Sequence, residues 1–300
     1  MSVMWALFRN LARRKPLGAV GAAMVLALAL LALLADFVAP FHFNETSVFQ
    51  ALRPPSAAHW FGTDELGRDV LSRVIYGARV SMVVGLVATA LSILLGGILG
   101  VVSGFFGGWV DLVVQRLVDA WMSFPGLVMI IVMLALLGPG LWNVILALGV
   151  SQAFTQSRIL RSATVVVREL SYVEASRAIG AGHVRILGCH ILPNIVATII
   201  VAASNFFGFV ILVEAAASFL GYGVPPPQPS WGGMLSATGR VYMVRAPWLS
   251  IFPGVALSLA VFGSNMLGDA LRDLLDPRLR GAGVIGRDAG TRMPRMSVGS

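Results

Sequence analysis

Apolar residues gather in six long runs, at 17–38, 80–104, 117–137, 141–157, 195–213 and 249–267. A bilayer core about 30 Å thick takes about 20 apolar residues as helix. Each run therefore predicts a membrane span, the fourth a short one. The expected fold is an all-α integral membrane protein with six transmembrane helices. Room for a separate soluble domain is lacking. One polar stretch, "YVEASRAIGAGHVRILGCHILPN" at 172–194, interrupts this pattern between the fourth and fifth runs.

The polar positions predict further elements. From Thr63 a stripe of Leu66, Val70, Leu71, Val74 and Ile75 has helical spacing. Thr63 is placed to cap such a helix, with Asp64 and Glu65 in its positive first turn. Asp64–Arg68 and Asp69–Arg73 are acid-before-base pairs four apart. An amphipathic surface helix within the outer segment 39–78 follows, or an ordinary solvated helix face. Gly96, Gly100, Gly104 and Gly108 recur every fourth residue, with Ser92 one turn earlier. Small residues at that spacing let another helix approach closely. Gly138-Pro139-Gly140 predicts a tight turn, and the Pro- and Gly-rich 218–247 predicts a shaped outer loop. Within 172–194, two short helices are expected, 172–179 and 183–191, broken at Gly180-Ala181-Gly182 and ended by Pro193. Ala175, Ala178, Gly180, Ala181 and Gly182 offer a low-bulk surface suited to a groove on another protein, with Arg168, Arg177 and Arg185 flanking it. A re-entrant or merely solvated loop is the alternative.

Composition supports the membrane reading: 57% of residues are hydrophobic and 12% charged, where soluble domains carry about 25% charged residues. The net charge of +8 is sorted by loop. Sixteen of the 22 basic residues fall on the side holding both termini and 158–194, and six on the other. Positive loops stay cytoplasmic. Both termini and 158–194 are therefore expected inside, and the basicity reflects topology rather than nucleic-acid binding. Residues 1–16 read as a short cytoplasmic tail, 17–276 as the transmembrane domain and 277–300 as a disordered cytoplasmic tail. Arg13-Arg14-Lys15 precedes the first run as in a signal peptide, but the run exceeds the usual apolar core of about 7–15 residues and reads as a retained span. Cys189, the single cysteine, cannot form an internal disulfide.

Nucleotide chemistry by a P-loop is excluded, because that motif needs a lysine for the phosphates and the only lysine, Lys15, is followed by Pro16. His42, His59, His183 and His190 form no metal-binding spacing, so no metal site and no cofactor are expected on this chain. Asp36, Asp119, Glu214 and Asp269 lie near span ends, within expected reach of water or headgroups. Glu214 is a candidate for an outer gate or an interfacial carboxylate. Ser204, Asn205 and Gly208 lie on roughly one side of the fifth span and could line a path or hold helices together. A proton-coupled secondary carrier, which would want carboxylates at mid-membrane, is the rival class.

"EASRAIG" at 174–180 followed by "HILPN" at 190–194 resembles the EAA loop of binding-protein-dependent ABC importer permeases. Ser176 stands where the family pattern has Ala. "HWFGTDELGRDVLSRVIYGAR" (59–79), "SFLGYGVPPPQPSWGGML" (218–235) and "PWLSIFPGVALSLAVFGSNMLGDALRDLLDPR" (247–278) are similar to the C-type permease of dipeptide, oligopeptide and nickel importers. The resemblance implies a homologous B-type permease partner, two cytoplasmic ATPases carrying ATP and Mg, and an extracytoplasmic substrate-binding protein. It also implies that Glu174, Ala175, Ser176 and Gly180 belong to a coupling helix seated in an ATPase groove. Di- or oligopeptides are the expected substrates, with nickel, glutathione or another small solute as alternatives.

Overall fold

The computed structural model describes residues 16–236 and 241–275; the expectations for the two tails fall outside them. Among the described residues the chain is helical, with no strand beyond an isolated bridge between Thr63 and Asp69. Helix α1 spans Pro16–Leu33, α2 Ala35–Val38, α3 Val70–Phe106, α4 Gly108–Met122, α5 Gly126–Leu137 and α6 Leu141–Arg168. Then come α7 (Ser171–Ala178), α8 (His183–Ile186), a π turn at Leu187–Ile191, α9 (Leu192–Phe219), α10 (Trp231–Leu235) and α11 (Trp248–Leu275).

Four stretches are long and apolar enough to cross a membrane: α1, α3, the continuous His183–Phe219 and α11. The expected third span is not a straight helix. It breaks between α4 and α5, which meet at 87°. Pro125 explains the break, since it lacks an N–H and disfavours helical conformation at Phe124. If the pair counts as one crossing, the stretches number five. The fourth run extends into the 28-residue α6, so it is not short.

The surface helix expected from Thr63 is absent. Residues 63–69 form a tight turn, and the helix starts at Val70 and continues through the second run. Asp69 takes the capping role, its carboxylate accepting from Ser72 N and Oγ at 2.8 Å and facing His59 Nδ1 at 2.9 Å. The Asp69–Arg73 ion pair is therefore not made. Asp64 instead accepts from Leu66 N and Arg68 N at 2.9 Å and from Arg68 Nε at 2.6 Å, closing the turn. A short, side-chain-bonded turn satisfies these polar groups better than an exposed helix would.

Helices α3 and α6 lie side by side along the glycine stripe. A Cβ on Gly96 would sit 2.5 Å from Ala153 O, and one on Gly100 would meet Ser157 O. At Gly104 it would meet Arg161 O and Thr164 Cβ at 3.0 Å. The stripe thus faces a neighbour within the same chain; Gly108 belongs to α4 and has no such neighbour. Similar close approach joins α1 to α11 at Gly18, beside Ala270, and at Gly21, beside Gly263 and Met266. Without a hydrophobic drive between helices in lipid, such backbone proximity supplies the dispersion contact that holds them. Val84, Ala88, Val144, Leu148 and Val210 fill the space where α3, α6 and α9 meet.

Helices α3 and α6 run parallel while α1 and α11 run antiparallel, and the bundle has two chemically different ends. One gathers the start of α3, the end of α1 and the loop before α11. There Arg79 donates to Asp36 at 2.9 Å and Tyr76 Oη donates at 2.9 Å. The Arg79 bond, then the Tyr76 bond, hold the Asp36 carboxyl below the usual carboxylate range. The loop after α9 folds back on this end through Trp231, which is fully buried and donates from Nε1 to Val74 O at 3.0 Å, its ring lying against Gly77. Trp231→Ala should destabilise the protein by about 3–5 kcal/mol, read as a lowered thermal unfolding midpoint in detergent. The other end gathers Arg158, Arg161, Arg168 and the α7–α8 hairpin.

Candidate functional site

The hairpin is built from its turn outward. Helix α7 ends with Gly180 at φ +82°, a left-handed conformation that favours glycine. Gly180 N donates to Arg177 O at 2.9 Å and Ala181 N to Ser176 O at 3.0 Å, the paired bonds of a Schellman cap. A Cβ on Gly180 would meet nothing within 4 Å, so conformation rather than space selects glycine. Pro193 does not end the second helix as expected. The chain passes through the π turn, where Leu192 N donates to Leu187 O, and Pro193 occupies the first turn of α9. That first turn needs no donor from proline. Asn194 Nδ2 donates to His190 O at 2.6 Å and covers a carbonyl at the wide turn.

The hairpin is seated firmly on the bundle. Val173, Ile186, Ile191 and Ile195 are buried against Val101, Phe105 and Val167 from the ends of α3 and α6. The Arg177 guanidinium lies 5.5 Å from the Phe105 ring centre, and His183 meets Phe105 and Phe106 edge-on. Ser176 Oγ donates to Tyr172 O at 2.9 Å and lies 3.1 Å from His190 Nε2. The serine that departs from the family pattern therefore ties α7 to the π turn, a bond alanine could not make.

With Val173 buried beneath it and Arg177 reaching over the Phe105 ring, α7 presents Glu174, Ala175 and Ala178 to the surface. Glu174 has no ion-pair partner among the described residues. At the elbow Ile179 and Val184 are each 85% exposed. Sequence reasoning, looking for low bulk, missed these two. The available signal was their position: two aliphatics flanking a glycine turn in a polar loop.

The hairpin's base is braced by ion pairs. Arg161 binds both oxygens of Asp111, and Arg158 binds Asp119. Arg168 Nη1 donates to Gly104 O at 2.8 Å. These contacts fix α4 and the end of α3 to the end of α6.

The expected path residues separate. Asn205 faces a cavity of about 490 Å³ between α6, α9 and the α4–α5 bend, and an adjoining one of about 530 Å³ toward Arg272. Ser204 points elsewhere: its hydroxyl donates to Ile200 O at 2.9 Å, and it lines a different, largely apolar cavity beside Phe207. Gly208 is a packing position, where a Cβ would lie 3.0 Å from Ser264 Cβ and Asn265 Oδ1. Glu214 is not interfacial. It is fully buried within α9, accepts from Ser218 Oγ at 2.6 Å, and is linked through Ser218 to Ser230 at 3.3 Å, while its Oε2 has no partner. Burial comes from the returning loop, whose Gly232 lies against the Ala215 backbone.

Comparison with known proteins agrees with this architecture. Residues 92–281 match the family model described as binding-protein-dependent transport system inner membrane component. Residues 4–55 match the N-terminal TM domain of oligopeptide transport permease C. A dipeptide transport system permease protein from Alkalihalophilus pseudofirmus is 40% identical over 91% of this chain and 89% of its own length. A glutathione transport system permease protein from Pectobacterium atrosepticum is 37% identical over 92% of each chain. Among solved structures, inward-facing conformations of the MetNI methionine ABC transporter share the fold, with a TM-score of 0.53 and 19% identity over 66% of this chain and 96% of that one. Hairpin, bundle and family match converge on one conclusion: the chain belongs to the multi-pass inner membrane permeases of binding-protein-dependent ABC importers, as a C-type subunit of the dipeptide and oligopeptide group.

Proposed function

We propose that this chain imports di- or oligopeptides as one half of a permease pair, driven by ATP hydrolysis on partner subunits. In this reading α6 also crosses, giving six crossings with both termini and the hairpin cytoplasmic. A homologous B-type permease completes the path, two ATPases bind ATP and Mg, and an extracytoplasmic binding protein delivers substrate to the end holding the 218–247 loop. Relatives named for dipeptide and glutathione transport support the substrate class. Nickel or another small solute is the alternative within the same machinery.

One observation carries the coupling assignment: a rigidly seated hairpin presents Ile179 and Val184, each 85% exposed, at the basic end. Apolar side chains exposed together on a fixed elbow mark an interaction surface. Glu174, Ala175 and Gly180 supply the adjacent charge, low bulk and turn. Motion of the ATPases would reach α6 and α9 through the buried Val173–Ile186–Ile191 contact, switching the spans between inward- and outward-open states.

The test is copurification. Burying one such aliphatic side chain contributes about 1.5–3 kcal/mol, so Ile179→Asp with Val184→Asp should release the ATPases while the permease pair still elutes intact. ATPases retained at wild-type stoichiometry by the double variant would refute the assignment.

A further inference from the structure

The two cavities on either side of Asn205 share Ile159, Ala202 and Asn205 and so form one groove along α9. Its walls are chemically unusual for membrane depth. Gln152, Thr155 and Gln156 of α6 and Asn205 of α9 line it, and toward the basic end Asn194 and Arg272 join them. Gln156 is only 2% exposed, and its Oε1 has no hydrogen-bond partner among the described residues. A buried amide oxygen left unpaired costs about 1–3 kcal/mol, and a turn of the Gln156 side chain into the groove would let a ligand N–H satisfy it. Among the described residues the lining includes no carboxylate, and Arg272 is its one charge.

We infer that this groove is the chain's share of the substrate path, and that Gln152, Gln156 and Asn205 read the amide groups of a passing peptide. The inference rests on the peptide-importer reading above. Peptides of different sequence have only their backbone in common. A side-chain amide carries both a donor and an acceptor, so it matches the N–H and C=O of any peptide bond without selecting a side chain. Fixed charges at mid-membrane would hold one class of peptide too tightly to release it. Arg272, near the basic end, is positioned for a C-terminal carboxylate late in passage. Asn194 to Asn205 spans about 16 Å of helix at 1.5 Å per residue, enough for several peptide bonds.

The experiment uses the complete complex in proteoliposomes, with a labelled dipeptide and its binding protein. Gln156→Leu and Asn205→Leu should each lower peptide uptake about tenfold, the equivalent of one lost buried hydrogen bond. Each variant should still copurify with the partner permease and both ATPases at wild-type stoichiometry, which reports a folded assembly. As a second measurement, Gln152→Cys in a Cys189→Ser background should react with a hydrophilic thiol reagent, and turnover with peptide should slow that reaction. If wild-type complex moves peptide but both leucine variants move it equally well, or peptide never protects Gln152→Cys, the groove inference is overturned. If the wild-type complex moves no peptide at all, the underlying importer reading has failed instead.

Discussion

Gly100→Leu is expected to leave no folded protein. Even the first carbon of the new side chain would meet Ser157 O, with Arg161 N only 2.9 Å away. Both are backbone atoms of α6, so relief requires the helices to part rather than a side chain to turn. Overpacking costs about 1–3 kcal/mol where side chains can yield; here separation would also open the buried layer of Val84, Ala88, Val144 and Leu148. The check is size-exclusion chromatography after mild detergent extraction, where the monodisperse peak should vanish. Gly97→Ala provides the contrast, because a Cβ there meets only Leu160 Cδ1, at 3.6 Å. Removing a helical glycine without a clash should be neutral or stabilising by up to about 1 kcal/mol.

Glu174→Lys should abolish peptide uptake while leaving the protein in the membrane at normal abundance. Glu174 is exposed and makes no ion pair within the described residues, so reversing its charge should alter stability by less than about 0.5 kcal/mol. In the proposed reading the effect arises at the contact with the ATPase. Reversing a charge in such an interface costs about 2–5 kcal/mol, roughly thirtyfold or more in the contact's equilibrium. Uptake and binding-protein-stimulated ATP hydrolysis should therefore fall together. Unchanged uptake in this variant would show that the exposed face of α7 does not transmit the drive.

Much of this architecture was legible in the residues because lipid imposes simple demands. Twenty apolar residues in a row have few other uses, so the runs located the helices. The spacing of Gly96, Gly100 and Gly104 marked a close helix neighbour, though not which one; α6 was identified only in three dimensions. Element boundaries were less legible, because hydrogen bonds rather than hydropathy set them. Asp69, not Thr63, caps α3 because His59 and Ser72 converge on its carboxylate. The π turn at 187–191 let a helix run through a segment that Pro193 was expected to end. The bend before Pro125 carried a visible signal, the proline itself within a 21-residue run.

The site divided along similar lines. The "EASRAIG" segment was recognisable, and the turn at Gly180 followed from its composition. Ile179 and Val184 were missed because exposure depends on what lies beneath a loop, and Val101, Phe105 and Val167 are remote in sequence. Ser204 and Asn205 were grouped although neighbours on a helix point about 100° apart, and α9 sends them to different cavities. Glu214, near a run's end, reads from sequence as either an outer-gate residue or an interfacial carboxylate, and its full burial contradicts the second. The returning loop, with Ser230 linked to Ser218 and Gly232 against Ala215, closes over this stretch of α9.

In the proposed mechanism this chain moves peptides with energy received through its hairpin. The most direct test assembles the chain, its partner permease and the two ATPases in liposomes and follows labelled peptide uptake alongside ATP hydrolysis. Peptide-loaded binding protein should stimulate both, a protonophore should leave uptake unchanged, and Ile179→Asp with Val184→Asp should abolish both responses. Uptake by the isolated chain, indifferent to ATP and collapsed by the protonophore, would contradict this mechanism and identify an ion-coupled carrier.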